Sequence, residues 1–293
     1  MANRLLWTLL LLSLTAAWGW AFTLVRYAVA IYHPLGFLAL RFLTAAAVIF
    51  LLTRPRLSRQ TLRYGIAAGA ALALGFLGQT FALQFTTASN SAIITEAAVI
   101  FAPLTARLAF GTRTRPQTWL SIALCCAGAL LLMGQSPEHM RLGDLLSLAG
   151  ALGFGIHLAL LSEFSPRLDS KAFAAVQIAT VALFAFIAWP LAEPIRPPPP
   201  QLWWIVLFTG TVATAAGFWI QTLVQRRLSA ARTALILATE PAFAVLFGIL
   251  AGEHLAPLQW LGAALMLAAV LAHEIWAILH SSKRQSGTSQ LNL

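Results

Sequence analysis

About ten long apolar runs follow one another along this chain, at roughly 4–30, 34–53, 63–84, 91–110, 117–134, 143–162, 171–190, 202–224, 232–251 and 257–278. No other feature constrains the fold as tightly. At 1.5 Å rise per residue, runs of about 17–25 residues cross a hydrocarbon core of about 30 Å. A backbone in lipid must satisfy its own hydrogen bonds, which leaves helices or a closed barrel. Barrel strands are only about ten residues long and alternate in polarity. The runs therefore predict an all-α polytopic membrane protein with ten transmembrane helices. With 10% charged residues, the chain is far from the roughly 25% of an average soluble domain.

The charges orient this threading. With Met1 inside, all of the 19 Lys and Arg residues except Arg26, Arg41, Arg141 and Arg196 fall at cytoplasmic span ends or loops. Positive residues resist translocation, so both termini are expected in the cytoplasm. The same rule accounts for the net charge of +10 without a nucleic-acid partner, because the basic residues are scattered over short turns. The first apolar run exceeds a signal-peptide core and nine more follow, which predicts an uncleaved first helix. Cys125 and Cys126 are adjacent and form no metal or redox spacing, so they read as buried thiols.

The chain also repeats itself. Leu11-Leu12-Ser13-Leu14 and Trp18-Gly19-Trp20 match Leu145-Leu146-Ser147-Leu148 and Leu152-Gly153-Phe154 without a gap. Phe37, Ala39, Thr44 and Ala46 match Phe173, Ala175, Thr180 and Ala182, which sets Arg41 opposite Gln177. Phe76, Gln79 and Thr80 match Phe218, Gln221 and Thr222, and Gly111, Pro116, Trp119 and Leu120 match Gly252, Pro257, Trp260 and Leu261. The matches keep their order. They predict two repeats, 1–136 and 137–280, followed by a disordered cytoplasmic tail at 281–293. Five spans per repeat is an odd number, so the second repeat is inverted in the membrane, as in many transporters. A short turn at 134–142 joins the halves, and the Pro-rich stretch 193–200 predicts an extended external loop.

Several of these residues carry a resemblance. Trp18-Gly19 with Phe22, Leu40-Arg41-Phe42, Glu240-Pro241, Gly252-Glu253 and the Gln259 to Gly262 spacing resemble the EamA-type branch of the drug/metabolite transporter superfamily. The likeness covers nearly the whole chain. It implies a ten-helix inner-membrane transporter of two inverted five-helix repeats. Members mostly export small metabolites, amino acids or drugs, amino-acid exporters of the YddG-like kind among them. The chain departs from the pattern at Ala21, where members often carry Asn, and at Gly111-Thr112, where Gly-Glu is frequent. Ala21 bears on substrate identity.

Polar residues inside the spans fall into two expected layers. Arg41, Glu96 and Gln79 form an outer layer, with Arg41 roughly 10 Å from its span end at 1.5 Å per residue. Gln177, Gln221, Glu240 and His157 form an inner one. A lone charge at the bilayer centre costs at least about 2.5–3.5 kcal/mol, so each should face a partner or a wet cavity. Arg41 is expected to pair with Glu96, and Glu240 to lie near His157. Two readings stand for the first pair: a bridge that only fixes helix packing, or part of a binding site. Trp18, Trp20 and Trp219 lie away from the interfacial belts and are expected to line a cavity or to pack. Pro103 and Pro241 are expected kink positions.

These features predict a secondary transporter that exports small metabolites by alternating access, with hydrophobic or aromatic amino acids as first substrates. Paired opposite charges suit a zwitterion. The alternative is efflux of a cationic amphiphile. An intramembrane lipid enzyme is a distant third, resting on His273-Glu274 and His280, whose spacing is not that of a zinc protease. No phosphate-binding loop, metal or cofactor is expected. The expected partners are a small-molecule substrate, the lipid bilayer and, as coupling ion, protons; the chain is expected as a monomer or homodimer.

Overall fold

The computed structural model describes residues 2–86, 88–133, 142–250 and 256–289. The 134–142 linker, Arg141, Gly252-Glu253 and the end of the tail lie wholly or largely outside the described residues. Among the described residues the chain is all helical, with no strand. The helices are α1 (Ala2–Ile31), α2 (Pro34–Thr53), α3 (Arg59–Ala82), α4 (Ala88–Thr95), α5 (Ala98–Phe110), α6 (Pro116–Met133) and α7 (Leu142–Phe164). They continue as α8 (Ser170–Ala192), α9 (Pro200–Phe208), α10 (Gly217–Gln225), α11 (Ala230–Leu237), α12 (Glu240–Leu250) and α13 (Pro257–Ser289). Seven helical stretches are long and apolar enough to cross a membrane, and shorter apolar helices lie at Pro116–Leu131 and Trp260–His273.

Local chemistry sets the helix ends. Ser58 Oγ accepts from Thr61 N at 3.0 Å to cap α3, and Asp169 Oδ1 accepts from Ala172 N at 2.9 Å to cap α8. Such caps satisfy N–H groups that a helix start leaves orphaned. Proline opens α2, α6, α9 and α13, where its missing N–H costs nothing. Residues 193–199 run extended into α9, and Tyr32 Oη donates to the Arg196 carbonyl at 2.6 Å to hold that stretch down. At the other terminus the backbone stays helical to Ser289, through most of the segment read from sequence as a tail; no proline follows Pro257 to stop it.

The two halves of the chain pack on each other rather than side by side. The closest-packed pairs are α3 with α7, α6 with α13, and α2 with α8, each joining the first half to the second. One buried cluster, built on Leu11, Leu14, Leu158, Val224 and Leu235, fills the end of the bundle near the start of α1. A second, built on Phe42, Phe76, Ile178 and Phe218, joins α2, α3 and α8 to α10. The outside is apolar as well. Leu108 and Leu191 are 86% and 83% exposed, as suits a surface solvated by lipid tails.

Three predicted spans are not simple helices. The fourth, 91–110, breaks at Glu96–Ala97 between α4 and α5, and the ninth, 232–251, breaks at Ala238–Thr239 between α11 and α12. In both, the backbone tightens to three-residue bonds: Ala97 N donates to Ile94 O at 3.0 Å, and Thr239 N to Ile236 O at 3.2 Å. Pro241, which lacks an N–H, explains the second break. Pro103 lies inside α5, well past the first. The eighth span holds a π-helical stretch, Thr209–Ala216, between α9 and α10. Wide turns of this kind collect at functional sites.

Close helix approach depends on glycine at the α3–α7 crossing. A Cβ on Gly78 would stand 2.6 Å from Gly150 N and 2.6 Å from the Leu146 carbonyl, both backbone atoms. Gly111 differs: it ends α5 at φ +69 with nothing within 4 Å. Gly78→Leu should therefore force the helices apart and eliminate most monodisperse protein on size-exclusion chromatography. Gly111→Ala should keep its elution profile and lose only about 1–2 kcal/mol for the left-handed backbone.

Candidate functional site

A cleft of about 90 Å³ lies at the centre of the bundle, bounded by α1, α2, α3, α7 and α10 and by both helix breaks. Val25 and Leu83 line it near the end that carries the α1–α2 turn, and Leu158, Ala234 and Leu237 near the other. Its volume leaves room for several waters. Its polar groups are Arg41, Gln79, Thr95, Glu96, His157, Gln221 and Glu240.

Arg41 is the fixed cation of this cleft. It is 4% exposed. Its Nε donates to Thr214 Oγ1 at 2.8 Å, in the π-helical stretch. Its Cζ lies 4.8 Å from the Phe76 ring centroid and 5.7 Å from that of Phe42, within range of attraction to the negative ring faces. The expected ion pair with Glu96 does not form: no carboxylate lies within 4.0 Å of Arg41 among the described residues, and its electrostatic partner is Glu240. Depth along straight spans misled that pairing, because both glutamates sit where their helices break. Glu96 and Glu240 instead act on each other electrostatically, so the two expected layers merge into one cleft.

Each glutamate follows a threonine that closes the preceding helix. Thr95 Oγ1 donates to the Ser91 carbonyl at 2.6 Å, and Thr239 Oγ1 to the Ile236 carbonyl at 2.8 Å. Thr95-Glu96 and Thr239-Glu240 thus occupy matching places in the two halves. The sequence reading passed over this repeat, although the paired Thr-Glu was there to be found. Cys125 Sγ reaches the Ala238 carbonyl of the second break at 3.9 Å, a weak contact for a buried thiol.

His157 is not beside Glu240 in its hydrogen bonding. Its Nε2 meets Gln177 Oε1 at 2.7 Å, while Gln177 Nε2 donates to the Phe173 carbonyl at 3.0 Å. The amide oxygen must accept, so Nε2 carries the proton and Nδ1 is the nitrogen left to accept one. Gln177 is fully buried on α8 behind His157 and does not line the cleft. Gln221 does, and its Oε1 is buried without a donor among the described residues.

Of the three tryptophans expected at the cavity, only Trp18 lines it. Its Nε1 donates to the Ala213 carbonyl at 2.6 Å, and its ring lies 5.3 Å from Phe218. Trp20 is 40% exposed and packs on Phe208, with ring centroids 4.6 Å apart. Trp219 lies off the cleft, near Lys171 Nζ at 5.7 Å. The reason is common to both: residues two apart on a helix point about 200° apart. Trp20 therefore faces away from Trp18, and Trp219 away from Gln221. The apolar wall comes instead from Phe22, Phe76, Phe154 and Phe218, which the sequence reading did not single out as site residues.

Comparison with known proteins agrees with this architecture. The EamA-like transporter family matches residues 5–134 and again 141–272. An uncharacterized transporter of Archaeoglobus fulgidus is 30% identical over 87% of this chain and 81% of its own. The inner membrane transporter YedA of Escherichia coli K12, also named uncharacterized, is 26% identical over 93% of this chain and 92% of its own. A crystal structure at 18% identity superposes with a TM-score of 0.77 over 94% of this chain and 98% of that one, a likeness of fold. A family model of transporters that covers both halves, and relatives named as transporters, define the class as a transporter rather than an enzyme. The chain belongs to the EamA-like transporter family.

The Arg41 anchor is open to test. Thr214→Val removes the acceptor of the buried Nε and should cost about 1–3 kcal/mol in thermal unfolding, the range for a buried charged group losing a partner. Thr214→Ser should restore most of it. Equal melting of the Val variant and the parent would mean that the rings alone hold the guanidinium.

Proposed function

We propose that the chain is a secondary exporter of zwitterionic amino acids with hydrophobic or aromatic side chains, spanning the inner membrane ten times as two inverted five-helix repeats. The observation that carries this reading is the state of Arg41. Only its Nε has a hydrogen-bond partner among the described residues, and its terminal nitrogens are not sealed from the cleft. A guanidinium held at one edge presents its other donors as a fork for a carboxylate. Glu96 and Glu240 lie in the same cleft as acceptors for an ammonium group, and Trp18, Phe76 and Phe218 supply an apolar wall for a side chain.

The places where the helices break support alternating access. The cleft reaches Val25 and Leu83 toward the α1–α2 turn. At the other end Gln225 Nε2 ties α10 to α7 through the Leu158 carbonyl at 2.9 Å and Ser162 Oγ at 2.8 Å. This arrangement supports a state open toward the α1–α2 side, which the threading places outside. The breaks at Glu96–Ala97 and at Ala238–Thr239, just before Glu240-Pro241, are the natural positions for the exchange of states. With both termini cytoplasmic, proton coupling runs through Glu240 and His157. A second reading, efflux of cationic amphiphiles, draws on the formal excess of two carboxylates over one guanidinium.

Counterflow in proteoliposomes separates the two. Vesicles preloaded with an aromatic amino acid should exchange it, and should not exchange the corresponding decarboxylated amine. Arg41→Lys loses the fork but keeps the charge, and should lower amino-acid exchange about tenfold or more. Glu240→Gln should abolish exchange at near-normal expression, and a pH gradient should drive uptake only in the parent. Exchange of the amine in preference to the amino acid would overturn the zwitterion reading in favour of cation efflux.

A further inference from the structure

A second cavity, of about 340 Å³, opens at the opposite end of the bundle from the α1–α2 turn. It lies between the α5–α6 and α10–α11 turns, beside α13. Arg232 Nη2 meets Thr8 Oγ1 at 3.5 Å, which fixes this end as the one where α1 begins. No acidic residue lines the cavity among the described residues, whereas Arg113, Arg115, Arg227 and Arg232 all do. Arg113, Arg115 and Arg227 are exposed, and none of these three has an acidic partner among the described residues.

Two further features point the same way. The cavity holds the first turn of α11, capped by Ser229, whose Oγ accepts from Arg232 N at 3.4 Å. Ala230 and Ala231 line it, and their N–H groups, the first two of the helix, have no helical acceptor. The start of α6 meets the same space through Thr118, so two helix N-termini bring partial positive charge to one place. Pro103, Leu228 and Trp276 add apolar surface to the lining, beside His273. Resistance of arginine to translocation explains why these residues occupy this end of the bundle. It does not explain their convergence. Arg54 and Arg56 in the α2–α3 turn and Arg59 at the start of α3 stand at the same end and line neither cavity.

We infer that this cavity is a binding site for a phosphate group, held by Arg113, Arg115 and Arg227 with the α11 N-terminus, and separate from the central cleft. Guanidinium forks match phosphate oxygens in pairs. Basic pockets between transmembrane helices at the membrane surface take anionic lipid headgroups, and the apolar lining residues suit the first methylenes of such a lipid's acyl chains. A soluble phosphate shares the same chemistry, and the test distinguishes the two sources.

Native mass spectrometry of the purified full-length chain with phosphatidylglycerol or phosphatidylcholine is the first arm. Thermal unfolding in neutral detergent with inorganic phosphate is the second. Preferential retention of phosphatidylglycerol assigns a lipid headgroup; a phosphate-dependent rise in Tm without lipid preference assigns a soluble phosphate. In either case the triple variant Arg113→Gln, Arg115→Gln, Arg227→Gln should bind about tenfold more weakly or worse. Arg54→Gln, Arg56→Gln, Arg59→Gln, with the same loss of charge at the same end, should bind as the parent. Thr114→Asp places a carboxylate in the cavity without removing any arginine, and should also weaken binding if the first variant fails to fold. The proposal is overturned if the parent shows neither preference nor shift. It is equally overturned if the two triple variants weaken alike, or if Thr114→Asp binds as the parent.

Discussion

A guanidinium in the middle of an apolar bundle is the constraint around which this protein is organised. Arg41 is buried within α2, and a lone charge deep in a membrane carries a cost of several kcal/mol. The structure offsets that cost without a contact ion pair. Thr214 takes one N–H, the faces of Phe76 and Phe42 take the charge, and Glu240 acts from across the cleft. The wall built for Arg41 is also the wall of the cavity. Phe76 meets Phe154 at 5.3 Å and Phe218 at 5.8 Å, and Phe218 meets Trp18, whose indole closes onto the π-helical stretch that holds Thr214.

Irregular backbone appears where the polar chemistry is. In a lipid-facing position, a broken helix would expose carbonyls and N–H groups to hydrocarbon, so breaks are confined to cavities and protein interiors. Both breaks here border the central cleft, each with a glutamate, and the π-helical stretch borders Arg41. Their threonine hydroxyls and three-residue backbone bonds satisfy the polar groups the breaks would leave open. Helix packing supplies the complement: Gly75 and Gly78 meet Gly150 and Gly153 with backbone almost in contact, so α3 and α7 form a close-packed pair beside the breaks.

Much of the fold was legible from hydropathy, because lipid leaves a chain few options. The starts of α2, α6, α9 and α13 at prolines, and the polar residues of the cleft, follow from patterns on the page of the sequence. Three things were not legible. The break at Glu96–Ala97 has no proline beside it, and a π-helical stretch such as Thr209–Ala216 has no compositional mark. The faces of Trp20 and Trp219 were misassigned because depth along a span was weighed and rotation about its axis was not. Arg41 and Glu96 were matched as opposite charges at like depth, but a kinked helix turns its side chains away from where a straight one would aim them.

The central claim is that one cleft between two like halves, anchored by Arg41, is where cargo binds. Its most direct test is thiol access at Ala21, which lines the cleft and is 4% exposed. Ala21→Cys, in a background with Cys125 and Cys126 replaced by alanine, is exposed in sealed vesicles to a membrane-impermeant thiol reagent from either side. The account predicts labelling that slows when an exchanged amino acid saturates the protein. Labelling at the same rate with and without cargo, or none from either side, would contradict it.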